Sequence, residues 1–438
     1  LRYALVNIFA HSAILLLLCT PYFSSMIEFN RFVLENGLRV LVHEDNSTPM
    51  AVVNVLYDVG ARDENPEKTG FAHLFEHLMF GGSKNIPDYD EPLQRAGGEN
   101  NAYTTDDVTN YYCQLPAKNI ETAFWLESDR MLSLAFSKKS LEVQRKVVCE
   151  EFKEHYINKP YGDMWHKMRA LAYQVHPYRW LTIGKELSHI EQVQLEEVKA
   201  FFFKHYRPVN AILVVAGNVT TEQVKQLAEK WFGDIPMGEK YERHLPAEPT
   251  QTAPRSLEVT ADVPLHAIMK TWHMAGRLQQ GYYVADLITE ILGGGSSSRL
   301  YQSLVKEQQL FSDIQCYQLG AIDPGLVTIQ GKLVKGVTMQ QAEAGINAVI
   351  QQVVEQPVSE IELTKIKNRT ESVIVFEDMA LMNRASSLAY YELLGNAQLI
   401  NEELSRFQAV TTADLQQGAA AIFNPNNVNT LYYYSQHL

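Results

Sequence analysis

A chain of 438 residues is too long for one ordinary core, so two or three domains are expected. Hydrophobic residues make up 46% and charged residues 20%, a globular composition with ample material for large cores. The formal charge of −13 argues against nucleic acid or an anionic membrane as the main partner and suits basic peptides instead.

Residues 1–25 carry one early arginine and a short apolar run from Ala13 to Cys19, a weak secretory pattern without a good small-x-small cleavage site. The run is too short to span a bilayer. Met26 stands just before the first convincing strand, so translation is expected to start there, with residues 1–25 a non-core leader or upstream artefact. The expected location is the cytoplasm, with the periplasm or export as the alternative if residues 1–25 are a genuine signal. Cys19, Cys113, Cys149 and Cys316 lie far apart and form no Cys-x-x-Cys pair. That pattern opposes a disulfide framework or a cysteine zinc finger and fits a reducing compartment.

The core opens with FNRFVLE and LRVLVHE, two alternating runs around Asn36-Gly37, a strong hairpin signal. A third strand, AVVNVLYDVG, ends at Gly60, and a polar loop leads to a helix from about Gly70 to Met79. GENNAYTTDDVTNYYCQLP alternates in the β manner around a turn at Asp106-Asp107. Helices are expected over about 120–134 and 140–155, a buried strand over 211–219, and an amphipathic helix closed by Gly233. Residues 234–255 hold four prolines and no apolar periodicity, which reads as an interdomain linker.

After it the order restarts with strands in SLEVTAD and LHAIMKTWHMAG, then helices in YYVADLITEILGG and SRLYQSLVKEQ. A Gly-Gly-Ser follows the first of those helices, as Gly81-Gly82-Ser83 follows the first-half helix. The chain therefore reads as α+β, with two similar lobes, each a mainly antiparallel sheet packed with helices. The expected division is 26–235, a linker at 236–255, and 256–438.

Chemistry concentrates in HLFEHLMFGG, residues 73–82. Side chains four apart on a helix share a face, about 5–6 Å apart at Cβ, so His73 and His77 can reach one tetrahedral cation. Glu76 lies on the same face, where it can reach a water on the metal. His-x-x-Glu-His is the inverted form of a zinc protease motif, with the glutamate as base. A catalytic zinc site needs a third protein ligand, and EVQRKVVCEEFKEHY offers Glu150, Glu151 and Glu154 on one helix, with His155 alongside. Spacing alone does not choose among them.

These stretches, with LENGLRVLVHED, GFAHLFEHLMFGG, GGENNAYTTDDVTNYY, RKVVCEEF and GGGSSSRLYQSLVKEQ, resemble the pitrilysin-like, or inverzincin, zinc metallopeptidases. The resemblance runs over nearly the whole chain from about Phe29. It implies one Zn2+ per chain, with His73 and His77 as ligands and Glu76 as general base. The family's third ligand stands in a pattern resembling Glu-Arg-x-x-Val-x-x-Glu, and placing Arg145 and Val148 on it implies Glu151. Gln144 stands where the family often has a further glutamate. The strand around Asn101, Ala102 and Tyr103 resembles the family's edge strand, which pairs with extended substrate.

Longer members carry an Arg and a Tyr seven apart in their C-terminal half, and the matching positions here are Val305 and Ser312. The chain thus resembles the zinc-bearing subunit of short, two-chain members, whose partner supplies that pair. The function implied is a zinc endopeptidase cleaving peptides or unfolded segments inside a two-chain clamshell. A heterodimer is expected, with a self-sufficient homodimer as alternative. The rival from another class is a non-catalytic peptide-binding or assembly subunit of the same fold.

Overall fold

The computed structural model describes residues 26–438; the expected leader lies outside the described residues. Strands β1 (Asn30–Val33), β2 (Arg39–Glu44), β3 (Met50–Tyr57), β4 (Glu99–Thr104), β5 (Thr109–Pro116) and β6 (Ala211–Gly217) form one sheet in the order β1-β2-β6-β3-β5-β4. The Asn36-Gly37 hairpin joins β1 to β2 antiparallel, with Gly37 in the left-handed region at φ 84°. β6 enters between β2 and β3, parallel to the first and antiparallel to the second. All seven of its residues are buried. That is why AILVVAG shows no alternation: both faces of this strand are covered.

A second sheet holds β7 (Arg255–Ala261), β8 (Ala267–His273), β9 (Phe311–Leu319), β10 (Leu326–Leu333) and β11 (Val428–Ser435), in the order β7-β11-β8-β10-β9. β11 lies parallel to β7 and antiparallel to β8, repeating the placement of β6. The order β2-β6-β3-β5-β4 therefore recurs in the second lobe, and the two-lobed α+β architecture is present in strand topology as well as in element order.

Two helices cross the division between lobes. The Leu381–Leu393 helix, late in the chain, lays Leu381, Ala385, Leu388 and Ala389 on Leu41, Val52, Leu56, Ile212 and Val214 of the first sheet. Conversely, the Met164–Ala172 helix sets Met164 and Met168 against Ala267, Met269, Leu431 and Tyr433 of the second sheet. Each fully buried leucine in such a contact contributes about 1.5–3 kcal/mol. Polar pairs fix the edges of the contact. Arg384 donates to Asp45 across the division at 2.6 Å, and within the first lobe Arg169 of the Met164–Ala172 helix donates twice to Asp106 at 2.7 and 2.9 Å. Buried Arg62 pairs with Asp107 at 2.8 Å, and Asp107 also accepts from the Ile322 N–H of the second lobe.

Residues 236–254 contain no helix or strand, yet they are pinned to the first lobe. Arg243 donates to Asp58 at 2.8 Å and to Asp63 at 2.7 Å, while Glu248 accepts three backbone N–H bonds from Gln174, Val175 and His176. Among the described residues no helix is long and apolar enough to cross a membrane.

Candidate metal centre and substrate strand

The histidine helix spans Phe71–Leu78. It begins at Gly70, whose φ is 89° and whose missing Cβ would stand 2.7 Å from the Ile183 carbonyl oxygen, so only glycine fits. The Gly70 and Ala72 N–H groups donate to the buried Glu64 carboxylate, both at 2.8 Å, which satisfies donors that every helix N-terminus leaves open. Burial pushes the Glu64 carboxyl up to about 8, against the pull of those two donors. Phe71, Ala72, Leu74, Phe75 and Leu78 face the core, where Phe75 packs on Phe201 and Tyr206 at 4.9 and 5.2 Å between ring centres. His73, Glu76 and His77 are left half-buried on the opposite face.

A second helix, Lys138–Phe152, is capped by Ser137, whose hydroxyl accepts from the Ser140 N–H. It buries Leu141, Val148, Cys149 and Phe152 and turns Glu151 toward the histidines. Glu150 points away, exposed and paired with Lys153 at 2.8 Å; Glu154 and His155 are exposed as well. From Lys153 to Ile157 the helix widens into a π turn, which carries Glu154 and His155.

The Nε2 atoms of His73 and His77 stand 3.8 and 3.6 Å from Oε2 of Glu151. One donor atom from each of these three residues lies within 4.8 Å of the other two, and no other such trio occurs among the described residues. Ligands at about 2.0–2.1 Å around a tetrahedral ion are roughly 3.3–3.4 Å apart, so small side-chain adjustments would close this set on Zn2+. The electrostatics agree. Burial lowers His73 to about 4, which keeps the imidazole neutral with a lone pair to offer, and its other nitrogen, Nδ1, is buried without a partner. The His77 ring, with His73 and His155 adding, holds the Glu151 carboxyl below the usual carboxylate range.

Glu76 stands beside the trio and outside it. Burial raises its carboxyl above the ordinary range, opposed by a 2.6 Å hydrogen bond from the Thr104 hydroxyl. Thr104 ends β4, the edge strand of the first sheet. Along β4, Asn100, Ala102 and Thr104 turn inward while Glu99, Asn101 and Tyr103 are exposed. Asn101, Ala102 and Tyr103 thus split between the two faces, and what they share is the open edge. The Ala102 N–H donates to the side chain of Asn101 at 2.8 Å. Thr104 and Glu64 were not singled out by sequence patterning, because a single Thr in an alternating strand or Glu in a loop carries no periodic signal.

In the second lobe Val305 packs against the core from a π turn over Tyr301–Glu307, and the Ser312 hydroxyl donates to the Lys332 carbonyl. Arg299 is held by both oxygens of Glu362. None of the three is free to act as a charge clamp.

Residues 39–178 match the family described as Insulinase (Peptidase family M16), and residues 192–370 match Peptidase M16 inactive domain. The chain is 28% identical over 407 residues to the zinc protease PqqE of Helicobacter pylori, covering 91% of each. A solved protease from Helicobacter pylori superimposes with a TM-score of 0.87 at 27% identity, over 93% of this chain and 99% of that one. Pitrilysin shares the fold at a TM-score of 0.74 and 17% identity, and this chain covers 45% of its length. By the two family matches, the relatives and the duplicated fold, the chain belongs to the insulinase-like peptidase family M16.

Proposed function

We propose that this chain is a zinc-dependent endopeptidase in which His73, His77 and Glu151 hold one Zn2+ and Glu76 is the general base. The observation that carries this reading is the convergence of two imidazole nitrogens on one carboxylate oxygen, at 3.8 and 3.6 Å, with a second carboxylate beside them. A Zn2+ held there supplies Lewis-acid activation of a water and of the scissile carbonyl. Glu76, half-buried and with its carboxyl raised above the ordinary range by burial, accepts the proton of the attacking water and returns it to the leaving amine. An extended peptide adds to the open edge of β4, displacing the Asn101 side chain from the Ala102 N–H. Backbone pairing of this kind accepts many sequences but only unfolded ones, so peptides and unstructured segments are the substrate class.

Val305 packs against the second core and the Ser312 hydroxyl is bonded to Lys332, so neither position offers a charge clamp. We propose that a second chain completes the enzyme and contributes the Arg and Tyr that Val305 and Ser312 do not provide. The rival reading, a non-catalytic peptide-binding subunit, draws support from the inactive-domain description matched by residues 192–370.

Metal analysis and peptidase assays separate the two. The purified chain should hold about one zinc, which His73→Ala, His77→Ala and Glu151→Gln should lose or weaken and Glu150→Gln should retain. Glu76→Gln should keep zinc and lose about 10²–10⁴ in rate. A wild-type chain without zinc, or a Glu76→Gln variant as fast as wild type, would refute the peptidase reading.

A further inference from the structure

We propose that Thr104 is a positioning residue for the base: its hydroxyl anchors one oxygen of Glu76 and leaves the other to take the proton. The inference rests on the reading of Glu76 given above.

The histidine helix fixes the backbone of Glu76 but not its carboxylate, which rotates about three torsions. Ordering such a side chain costs up to about 2 kcal/mol, so something has to hold it. Among the described residues Glu76 takes part in no ion pair, and its one hydrogen bond runs from Thr104 Oγ1 to Oε2 at 2.6 Å. A carboxylate only accepts, so the hydroxyl is the donor. The length is that of a charge-assisted O–H···O bond. Oε2 is thereby occupied, and Oε1, which has no hydrogen-bond partner among the described residues, is left to take the proton.

The donor is itself rigid. Threonine is β-branched and stiff at χ1. Thr104 lies opposite Thr109 in the β4–β5 ladder, and the turn that follows is closed by Thr105, whose hydroxyl oxygen accepts from the N–H groups of Asp107 and Val108. Arg169 and Arg62 then fix Asp106 and Asp107. The base is therefore anchored to the same strand that pairs with substrate, two residues from Ala102. Peptide register and base position are set by one element.

Thr104→Val removes the hydroxyl at nearly constant shape, and Thr104→Ser keeps it. With the assembled enzyme and an unstructured fluorogenic peptide, Thr104→Val should lose about 10–100-fold in kcat, since small misplacements of a reacting group carry penalties of that order. KM should stay within about twofold and zinc content should not change. Thr104→Ser should recover most of the loss. Crystal structures provide a readout independent of activity: Glu76 should occupy more than one rotamer in Thr104→Val and one in Thr104→Ser. A single unchanged Glu76 rotamer in Thr104→Val, a wild-type kcat for it, or a Thr104→Ser variant as slow as Thr104→Val would overturn the proposal. Glu76→Gln distinguishes the failures. If that variant stays active, the base assignment falls; if it is dead while Thr104→Val is normal, only the anchoring role falls.

Discussion

His205 shows how much one side chain can hold against stability. It is fully buried between Phe201 and Tyr241, and neither ring nitrogen has a hydrogen-bond partner. A buried polar group left unpaired costs about 1–3 kcal/mol, so His205→Phe should raise unfolding stability by about 1–2 kcal/mol. Burial, with Lys204 and Arg243 nearby, lowers its pKa to about 3. Between about pH 6.5 and 3 the unfolded chain therefore binds the proton that the folded chain refuses, and stability falls as pH falls through that window. Urea unfolding at several pH values should show a flatter acid limb for His205→Phe; an unchanged limb would mean that His205 is not held neutral. The same scale limits what sequence can say. Glu150, Glu151 and Glu154 are equivalent by spacing, and the resemblance to a family pointed to Glu151 where periodicity could not. Only packing separates them, through the burial of Val148 and Cys149 on the side that turns Glu151 inward.

At the level of elements, the histidine helix depends on its first turn. Gly70→Ala must take a left-handed conformation and push against the Ile183 carbonyl, which should cost about 1–3 kcal/mol. Because that residue starts the helix, the variant should also lose zinc affinity, whereas a change confined to stability would show that the helix re-forms from a new start. Sequence located this helix, the Asn36-Gly37 hairpin and the β4–β5 pair, since each has its own period or turn chemistry. The ends shifted by a residue or two, and the π turns at 153–157 and 301–307 left no mark in the pattern. Amphipathic spacing also says that a helix buries a face, not which sheet receives it. The Met164–Ala172 and Leu381–Leu393 helices could not have been placed on the opposite lobes from their spacing alone.

For the molecule as a whole, the prediction is a poor enzyme when alone. The charge that develops on a peptide carbonyl during hydrolysis needs donors beyond a metal, and losing one typically costs about 10²–10³ in rate. Val305 packs, partly buried, against the second core, Ser312 is bonded to Lys332, and Arg299 is bound by Glu362. Mixing the purified chain with a candidate partner that carries an Arg and a Tyr seven apart should raise the turnover of an unstructured peptide by at least about 100-fold. Full activity from the isolated chain would instead favour a homodimer.

The crossed helices also set a timetable for synthesis. β6 completes the first sheet at Gly217, but the outer face of that sheet, with Leu41, Val52, Leu56, Ile212 and Val214, is covered by residues beginning at Leu381. Translation at about 5–20 residues per second puts roughly 10–30 s between the two events. For that interval the nascent chain carries a bare hydrophobic sheet face, which is covered only once the Leu381–Leu393 helix has been made.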